Sequence, residues 1–480
     1  MLKRSNYWLI ALLLIMVSRF LGMVFFPFAD TTEPRYAEIA RLMAETGDWV
    51  TPWFEPGVPF WGKPPLSFWA QAAAIKLFGL SEFSLRLPAW LITFAIIGLV
   101  WRLTKALFGV KAAQWSSLVF ATMLLTYISA GAVMTDTFLV FGSTLTLVSF
   151  YLVMLGHSGL WRWLFFVGIL VGLLAKGPLI LVLVGIPIFL WLIIAKQGFS
   201  GLGRLPWWQG TVLTLLLACP WYLLAELKTP GFLNYFIVGE HFRRFLDPGW
   251  VGDLYGSAHK QPLGMIWVYW LQASFPWGIF LLIGLLVSWL REGGFRLKQK
   301  VMLSQDSWFL LISALTPMLF FTFASNILWT YLLPSLPFTA IFIGCWVAQE
   351  NTFVLSRMRW ITVALTPTLL TIVVILVAVG FIPLKTEKEL VNSYLFNHKE
   401  GDSPLVYLYD LPFSARFYSQ GKALKLTEKE LIKLNKENEF QQVYVAIPKN
   451  ESEALLSSLS SPFRTVMENK RYKLLVAEAD

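Results

Sequence analysis

The sequence predicts an all-α protein that crosses a membrane many times and carries a small α/β soluble domain at its C-terminal end; three observations carry that expectation. Of 480 residues, 56% are hydrophobic and only 14% charged, a balance that excludes an ordinary water-soluble globule. Apolar runs, each able to cover about 30 Å of hydrocarbon as a helix, recur as far as residue 382. Beyond residue 385 the pattern changes to short strands and charged amphipathic helices.

The eleven runs are 7–28, 86–108, 112–130, 137–156, 161–175, 178–195, 207–224, 271–290, 307–324, 330–348 and 360–382, with room for a twelfth or thirteenth in 66–80 or 232–272. No small-residue cleavage site follows the first run, so it reads as a retained helix rather than a signal peptide. Basic residues fall on every second connection: Lys3 and Arg4, then Arg102, Lys105 and Lys111, then Arg162, Lys196, Arg204, Arg291, Arg296, Lys298, Lys300, Arg357 and Arg359. Taken as cytoplasmic, they put residues 29–85, 131–136, 176–177, 225–270, 325–329 and everything after 383 on the outer face.

Both cysteines, Cys219 and Cys345, fall within apolar runs and read as buried small residues rather than a disulfide. The net charge of +10 resides in residues 1–384, because 385–480 holds 14 basic and 14 acidic residues. That excess suits anchoring at the inner face and a site for anionic groups, and does not imply nucleic acid. In 385–480, "SPLVYLYD", "FQQVYVAIP" and "RYKLLVAEA" read as strands, "TEKELIKLNKEN" and "ESEALLSSLSS" as helices. The expected division is therefore a membrane domain, 1–384, and an outer-face domain, 385–480.

The outer connections hold the unusual chemistry. In "ADTTEPRYAEIARLMAETGDWVTPWF", Pro34 suits a first helical turn and Thr31 or Thr32 a cap, giving a juxtamembrane helix over 34–46. Ile39, Leu42 and Met43 would lie on one face and Glu38, Arg41 and Glu45 on the other, as in a helix lying on a membrane surface. Asp30 and Glu33 then stand at its N-terminus, either complementing the helix dipole or serving a site. A second short helix follows Lys63, where Gln71 and Lys76 argue against a full crossing.

Asp136 sits at the outer mouth of the 137–156 run, Lys176 in a tight outer turn, and His241, Arg243, Arg244 and His259 in the largest outer loop. Charges converging at a membrane boundary are costly unless they pair or bind a ligand. Lys63 and Lys176 could instead snorkel to head groups, and Arg243 and Arg244 could pair with Glu240 or Asp247. His241 and His259, with Glu240 or Asp253, could ligate a divalent metal, but no short-spaced pair of ligands exists, which favours loop packing. Arg19, deep in the first run, reads either as a bundle-facing structural charge or as part of a polar cavity. Carboxylates with several cations suit sugar transfer from a lipid phosphate: the cations stabilise the leaving phosphate and a carboxylate orients or deprotonates the acceptor.

"TEPRYAEIARLMAETGDWVTPWF", "GKPPLSFW", "FGLSEFSLRLP", "MTDTFLVF", "LAKGPL" and "WTYLLPSLP" together resemble the bacterial branch of the dolichyl-phosphate-mannose protein mannosyltransferase superfamily, and in particular its lipid A aminoarabinose transferases. The resemblance implies a GT-C glycosyltransferase bundle with juxtamembrane helices in the first outer loop, in a bacterial inner membrane. It also implies a polyprenyl-phosphate sugar donor, a membrane lipid or glycan acceptor such as lipid A, and inversion at the anomeric carbon.

Carried over by position, the family's first-loop acidic motif falls on Asp30 to Glu33, its Arg-Tyr on Arg35 and Tyr36, its loop lysine on Lys63 and its second acidic position on Asp136. Two positions depart from the family. Thr32 precedes Glu33 where the family has an Asp-Glu pair, leaving two candidate carboxylates, and Asn326 stands where a basic residue often precedes the "TYLLP" element containing Tyr331. The expected site therefore has Asp30, Glu33 and Asp136 as catalytic or sugar-positioning acids and Arg35, Lys63, Lys176, Arg243 and Arg244 around the donor phosphate. Tyr36, His241, His259, Asn326 and Tyr331 complete its substrate-binding walls. The alternatives are a protein O-mannosyltransferase or a lipid-linked sugar flippase; internal repeats, usual in transporters, are not evident in the sequence.

Overall fold

A computed structural model describes residues 7–157, 159–195, 199–247, 250–256, 259–292, 304–349, 353–436, 440–450 and 463–478. Lys3, Arg4, Lys196, Arg296, Lys298, Lys300 and the 451–461 stretch lie outside them. Helices occupy all eleven apolar runs. Among the described residues six helices are individually long and apolar enough to cross a membrane, and one bent pair makes a seventh. The remaining runs are broken or shortened, for identifiable reasons.

Helix α1 (Tyr7–Phe25) is wholly apolar apart from Ser18 and Arg19. Arg19 turns inward and donates to the carbonyls of Ile128 and Gly131 at 2.8 and 2.5 Å, a bundle-facing role. Helix α2 (Thr32–Thr46) begins two residues earlier than expected, and Thr31 makes no side-chain capping bond. Nor is α2 a surface helix: Glu38 and Arg41 are buried together with Ile39, Leu42 and Met43, because Arg41 donates to both Glu38 oxygens at 2.7 and 2.8 Å. Its polar face is thus neutralised from within and can be covered.

A hairpin of β1 (Trp53–Glu55) and β2 (Val58–Pro59) leads to α3 (Leu66–Phe78), which is too short to cross. Helix α4 (Glu82–Phe108) starts at a Ser81/Ser84 capping box. The 112–130 run divides into α5 (Val110–Thr122) and α6 (Leu124–Ser129), because Met123 is extended at φ −62°, ψ 133°. Helices α7 (Asp136–Met154) and α8 (Leu160–Lys176) meet backbone to backbone. A methyl at Gly142 would come within 2.7 Å of the Gly168 carbonyl, and one at Gly168 within 2.3 Å of Thr146 Oγ1. Small residues permit this approach where no hydrophobic effect between lipid-solvated helices would drive it.

Helices α9 (Leu179–Ile194) and α10 (Trp207–Lys228) lead to a π-helix, Asn234–Arg243, which continues through Arg244–Leu246. The 271–290 run is not one straight span: α11 (Met265–Ala273) and α12 (Trp277–Glu292) bend by 101° at the intervening proline segment. Helix α13 (Gln305–Thr322), a 3-10 turn at Trp329–Ser335, α14 (Leu336–Gln349) and α15 (Phe353–Ala378) close the bundle.

The C-terminal region builds a five-stranded sheet from β3 (Val406–Leu408), β4 (Leu424–Leu426), β5 (Gln442–Pro448), β6 (Phe463–Glu468) and β7 (Tyr472–Glu478), in the order β4-β3-β5-β7-β6. β3 is parallel to β4 and β5, whereas β5, β7 and β6 pair antiparallel. Alternation along the strands buries both faces. Val406, Leu408, Val443, Val445 and Leu475 pack with Leu431 of α18 (Glu428–Lys436). Tyr407, Tyr444, Leu474 and Val476 pack with Leu390 of α16 (Lys388–Asn397) and Ala415 of α17 (Phe413–Tyr418).

Helix α17 docks on the segment between α1 and α4. The Phe417 ring lies 5.0 Å from that of Phe28, and the Tyr418 hydroxyl accepts from Phe28 N at 2.7 Å and donates to Glu82 at 3.0 Å. Lys388 pairs with Glu82 at 2.6 Å and Arg416 with Glu55.

Candidate active site

The chain reverses at Gly62 after the hairpin, and this turn carries Lys63, whose Nζ donates to the Gly62 carbonyl at 2.5 Å and to Glu240 Oε2 at 2.9 Å. The π-helix supplies Glu240 and, one α-helical turn later, Arg244, whose Nη1 donates to Glu240 Oε1 at 2.9 Å. One carboxylate therefore bridges two cations, one oxygen to each. Arg244 also reaches Asp253 at 3.3 Å. Burial opposes ionisation of Glu240, but Lys63 and Arg244 outweigh it and lower its pKa to about 2. Burial likewise opposes the charge on Lys63 and on Arg244, and Glu240 reverses both effects, so each cation's pKa is raised.

The depressed Glu240 pKa carries a sign. The carboxylate's contribution to stability is complete above its ordinary pKa of 4.5 and is lost as pH falls from there through about 2. Thermal midpoints of the solubilised wild type and Glu240→Gln should therefore differ most at neutral pH, begin to converge below pH 4.5 and meet only as pH falls through about 2.

A second pair stands beside the first. Asp136 occupies the first turn of α7 and Lys176 the last turn of α8, and the glycine contact between these helices brings Lys176 Nζ to 2.6 Å from Asp136 Oδ1, with both side chains nearly buried at 9% and 12% exposure. Tyr331 lies beside the second pair, with Lys176 Nζ 5.0 Å from its ring centroid, and is near Lys63 and Arg244 as well. Among these six residues Lys63, Lys176 and Arg244 balance Asp136, Glu240 and Asp253. An arriving phosphate would find donors already converged and would compete with Glu240 for them. Such charge-assisted N–H bonds are the strong class of hydrogen bond.

Other expected residues are occupied elsewhere. Asp30 accepts from Ser414 N at 2.8 Å, Ser414 Oγ at 2.7 Å and Arg471 at 2.5 Å, all in the C-terminal region. Glu33 receives a bidentate pair from buried Arg86 at 3.0 and 2.7 Å and a bond from Val133 N at 2.9 Å. Arg86 also donates to the Met23 and Phe26 carbonyls. Both acids thus join the segment between α1 and α4 to its surroundings. Arg35 donates to the Tyr255 carbonyl at 2.5 Å, Tyr36 lies buried against Phe60 and Phe68, and Arg243 is exposed.

His241 has its ring nitrogens 2.8 and 3.1 Å from the carbonyls of Phe236 and Lys176, which tie it to the end of α8; burial lowers its pKa, and those two carbonyls oppose the shift. His259 is exposed. Among the described residues no three His, Cys, Asp or Glu side chains are gathered as a metal ion would require. Asn326 ties the loop after Arg244 by donating to the Arg244 and Asp247 carbonyls at 2.7 and 2.9 Å. The structure promotes Glu240 and Asp253 to central places. The Glu240/Arg244 spacing of four residues was the available signal for the first, since i,i+4 Glu–Arg pairs meet on a helix; Asp253 carries no comparable local signal.

Residues 7–236 match the family described as dolichyl-phosphate-mannose-protein mannosyltransferase. The chain is 28% identical over 313 residues to an undecaprenyl phosphate-alpha-4-amino-4-deoxy-L-arabinose arabinosyl transferase of Aeromonas hydrophila, covering 64% of this chain and 54% of that one. It is 29% identical to the protein of the same name from Aeromonas salmonicida, with 64% and 54% covered. The chain thus spans about half the length of the curated relatives it matches. Its fold matches the crystal structure of ArnT from Cupriavidus metallidurans bound to undecaprenyl phosphate, with a TM-score of 0.77, 19% identity and 99% and 98% of the two chains covered. The chain is a multi-pass inner-membrane protein.

Proposed function

We propose that this chain, an aminoarabinose-transferase-like protein of the GT-C fold, moves a sugar from an undecaprenyl-phosphate carrier to a lipid A or other glycan acceptor at the outer face of the inner membrane, inverting the anomeric carbon. The observation that carries this reading is the convergence of Lys63 and Arg244 on one carboxylate, with Lys176 beside them across Tyr331. Three cations so placed suit a phosphate that gains charge as the sugar leaves.

In this reading Lys63 and Arg244 exchange Glu240 for the donor phosphate, Lys176 neutralises a further oxygen, and the Tyr331 ring forms a wall. Asp136, released from Lys176 by that exchange, orients or deprotonates the acceptor hydroxyl; Asp30 and Glu33, engaged by Arg471 and Arg86, hold the loop in shape. The periplasmic placement of the site and of residues 385–480 as a separate domain belongs to the same proposal, supported by the positive-inside alternation.

Purified protein incubated with polyprenyl-phosphate pentoses or hexoses and a lipid A acceptor should release free polyprenyl phosphate in step with modified acceptor. Movement of intact donor across a vesicle membrane without such release would instead establish a flippase, and product on a polypeptide a protein mannosyltransferase.

A further inference from the structure

Phe413 opens α17 in the C-terminal region. Two guanidinium groups lie over its ring, Arg35 Cζ and Arg416 Cζ each 5.8 Å from its centroid. It also packs edge-on at 5.7 Å against Phe54 of the hairpin. Arg35, seated in this way and over Tyr36 at 5.1 Å, donates to the Tyr255 carbonyl at 2.5 Å.

Tyr255 is a buried hub. Its ring lies 5.1 Å from Phe54 and 4.6 Å from Phe60, while its hydroxyl donates to the Pro59 carbonyl at 2.7 Å and accepts from Trp61 N at 3.0 Å. Those bonds grip the backbone on both sides of Phe60, three residues before Lys63. Tyr255 itself follows Asp253, the partner of Arg244, by two residues, and its N–H donates to Asp253 Oδ1 at 3.1 Å. One hub therefore sets both the lysine side and the arginine side of the site.

We propose that the C-terminal region is a positioning element of the donor site, in which Phe413, through Arg35 and the Tyr255 hub, fixes the spacing between Lys63 and the Glu240–Arg244 pair. Arg35 is on this account a positioning residue and not a phosphate ligand. The inference rests on the glycosyl-transfer reading for its consequence on rate, but its mechanical content is independent of it. Cations displaced by even an ångström lose alignment with a leaving phosphate, and such misplacement typically costs about 10²-fold in rate at worst.

The test uses the full chain in detergent or nanodiscs, with Phe413→Leu, Phe413→Tyr, Tyr255→Phe and the Phe413→Leu/Tyr255→Phe double variant. Hydrogen exchange of the backbone amides at Phe60, Trp61 and Lys63 should accelerate in Phe413→Leu and Tyr255→Phe, with amides of α7 unchanged, and Phe413→Tyr should retain wild-type exchange. In the donor assay kcat/KM should fall about tenfold in each impaired single variant, largely through KM, and the double variant should fall no further than the worse single one. Unchanged exchange at 60–63 would overturn the proposal whatever the enzyme's activity. So would wild-type kinetics alongside accelerated exchange, or losses that simply multiply in the double variant. A wild type that releases no polyprenyl phosphate from any donor would overturn the glycosyl-transfer reading instead, while exchange would still decide the mechanical link.

Discussion

Replacing Lys63 by alanine is expected to lower donor turnover by about 10²- to 10³-fold, the range seen when one aligned donor to a developing anion is removed. The protein should remain folded. Glu240 keeps Arg244 at 2.9 Å after the substitution, so its carboxylate is not stranded without a cation. A small shift in thermal midpoint combined with a large loss of released polyprenyl phosphate is the expected pattern. Proportional losses of both would assign Lys63 to loop stability and discard its role at the phosphate.

The second large effect separates structure from chemistry at the other pair. Asp136→Asn leaves Lys176, only 9% exposed, without its 2.6 Å partner. Removing one member of a buried pair typically costs about 3–5 kcal/mol, whereas replacing both with neutral groups of similar volume is far better tolerated. Asp136→Asn should thus unfold at lower temperature, and Asp136→Asn/Lys176→Met should recover most of that stability. Activity should stay about 10²-fold down in both, because neither variant retains the Asp136 carboxylate that acts on the acceptor. Recovery of activity along with stability would make the pair purely architectural.

Much of the bundle was legible because apolar length is a local property. Every run expected to be helical contains helix, but crossing number was not legible, since Met123 and the proline segment before Trp277 interrupt runs whose composition is continuous. In the C-terminal region β3, β5 and β7 and helix α18 match the alternation of their residues, whereas β4 with three residues, β6 with its irregular register and the six-residue α17 carry too short a pattern to announce themselves.

The candidate site divides in the same way. Sequence placed Lys63, Lys176, Asp136 and Arg244 on one face, and the structure brings them to a common neighbourhood around Tyr331. It gave no means of seeing that Asp30 would be taken by Arg471, 441 residues away, or Glu33 by Arg86, because a single sequence reports periodicity and not partners. The partners of those two acids come from residues distant in the chain and are visible only in the fold.

The close glycine seam between α7 and α8 has a mechanical corollary. A wall in which main chains touch has no side-chain layer to compress, so Asp136 and Lys176 ride on a stiff jaw. The Glu240–Arg244 pair is carried instead by a π-helix and the turn that follows it, wound more widely and tied at its end by the Asn326 bonds to the Arg244 and Asp247 carbonyls. The two ion pairs therefore rest on supports of different kinds, one main chain against main chain and the other a wide-turn helix.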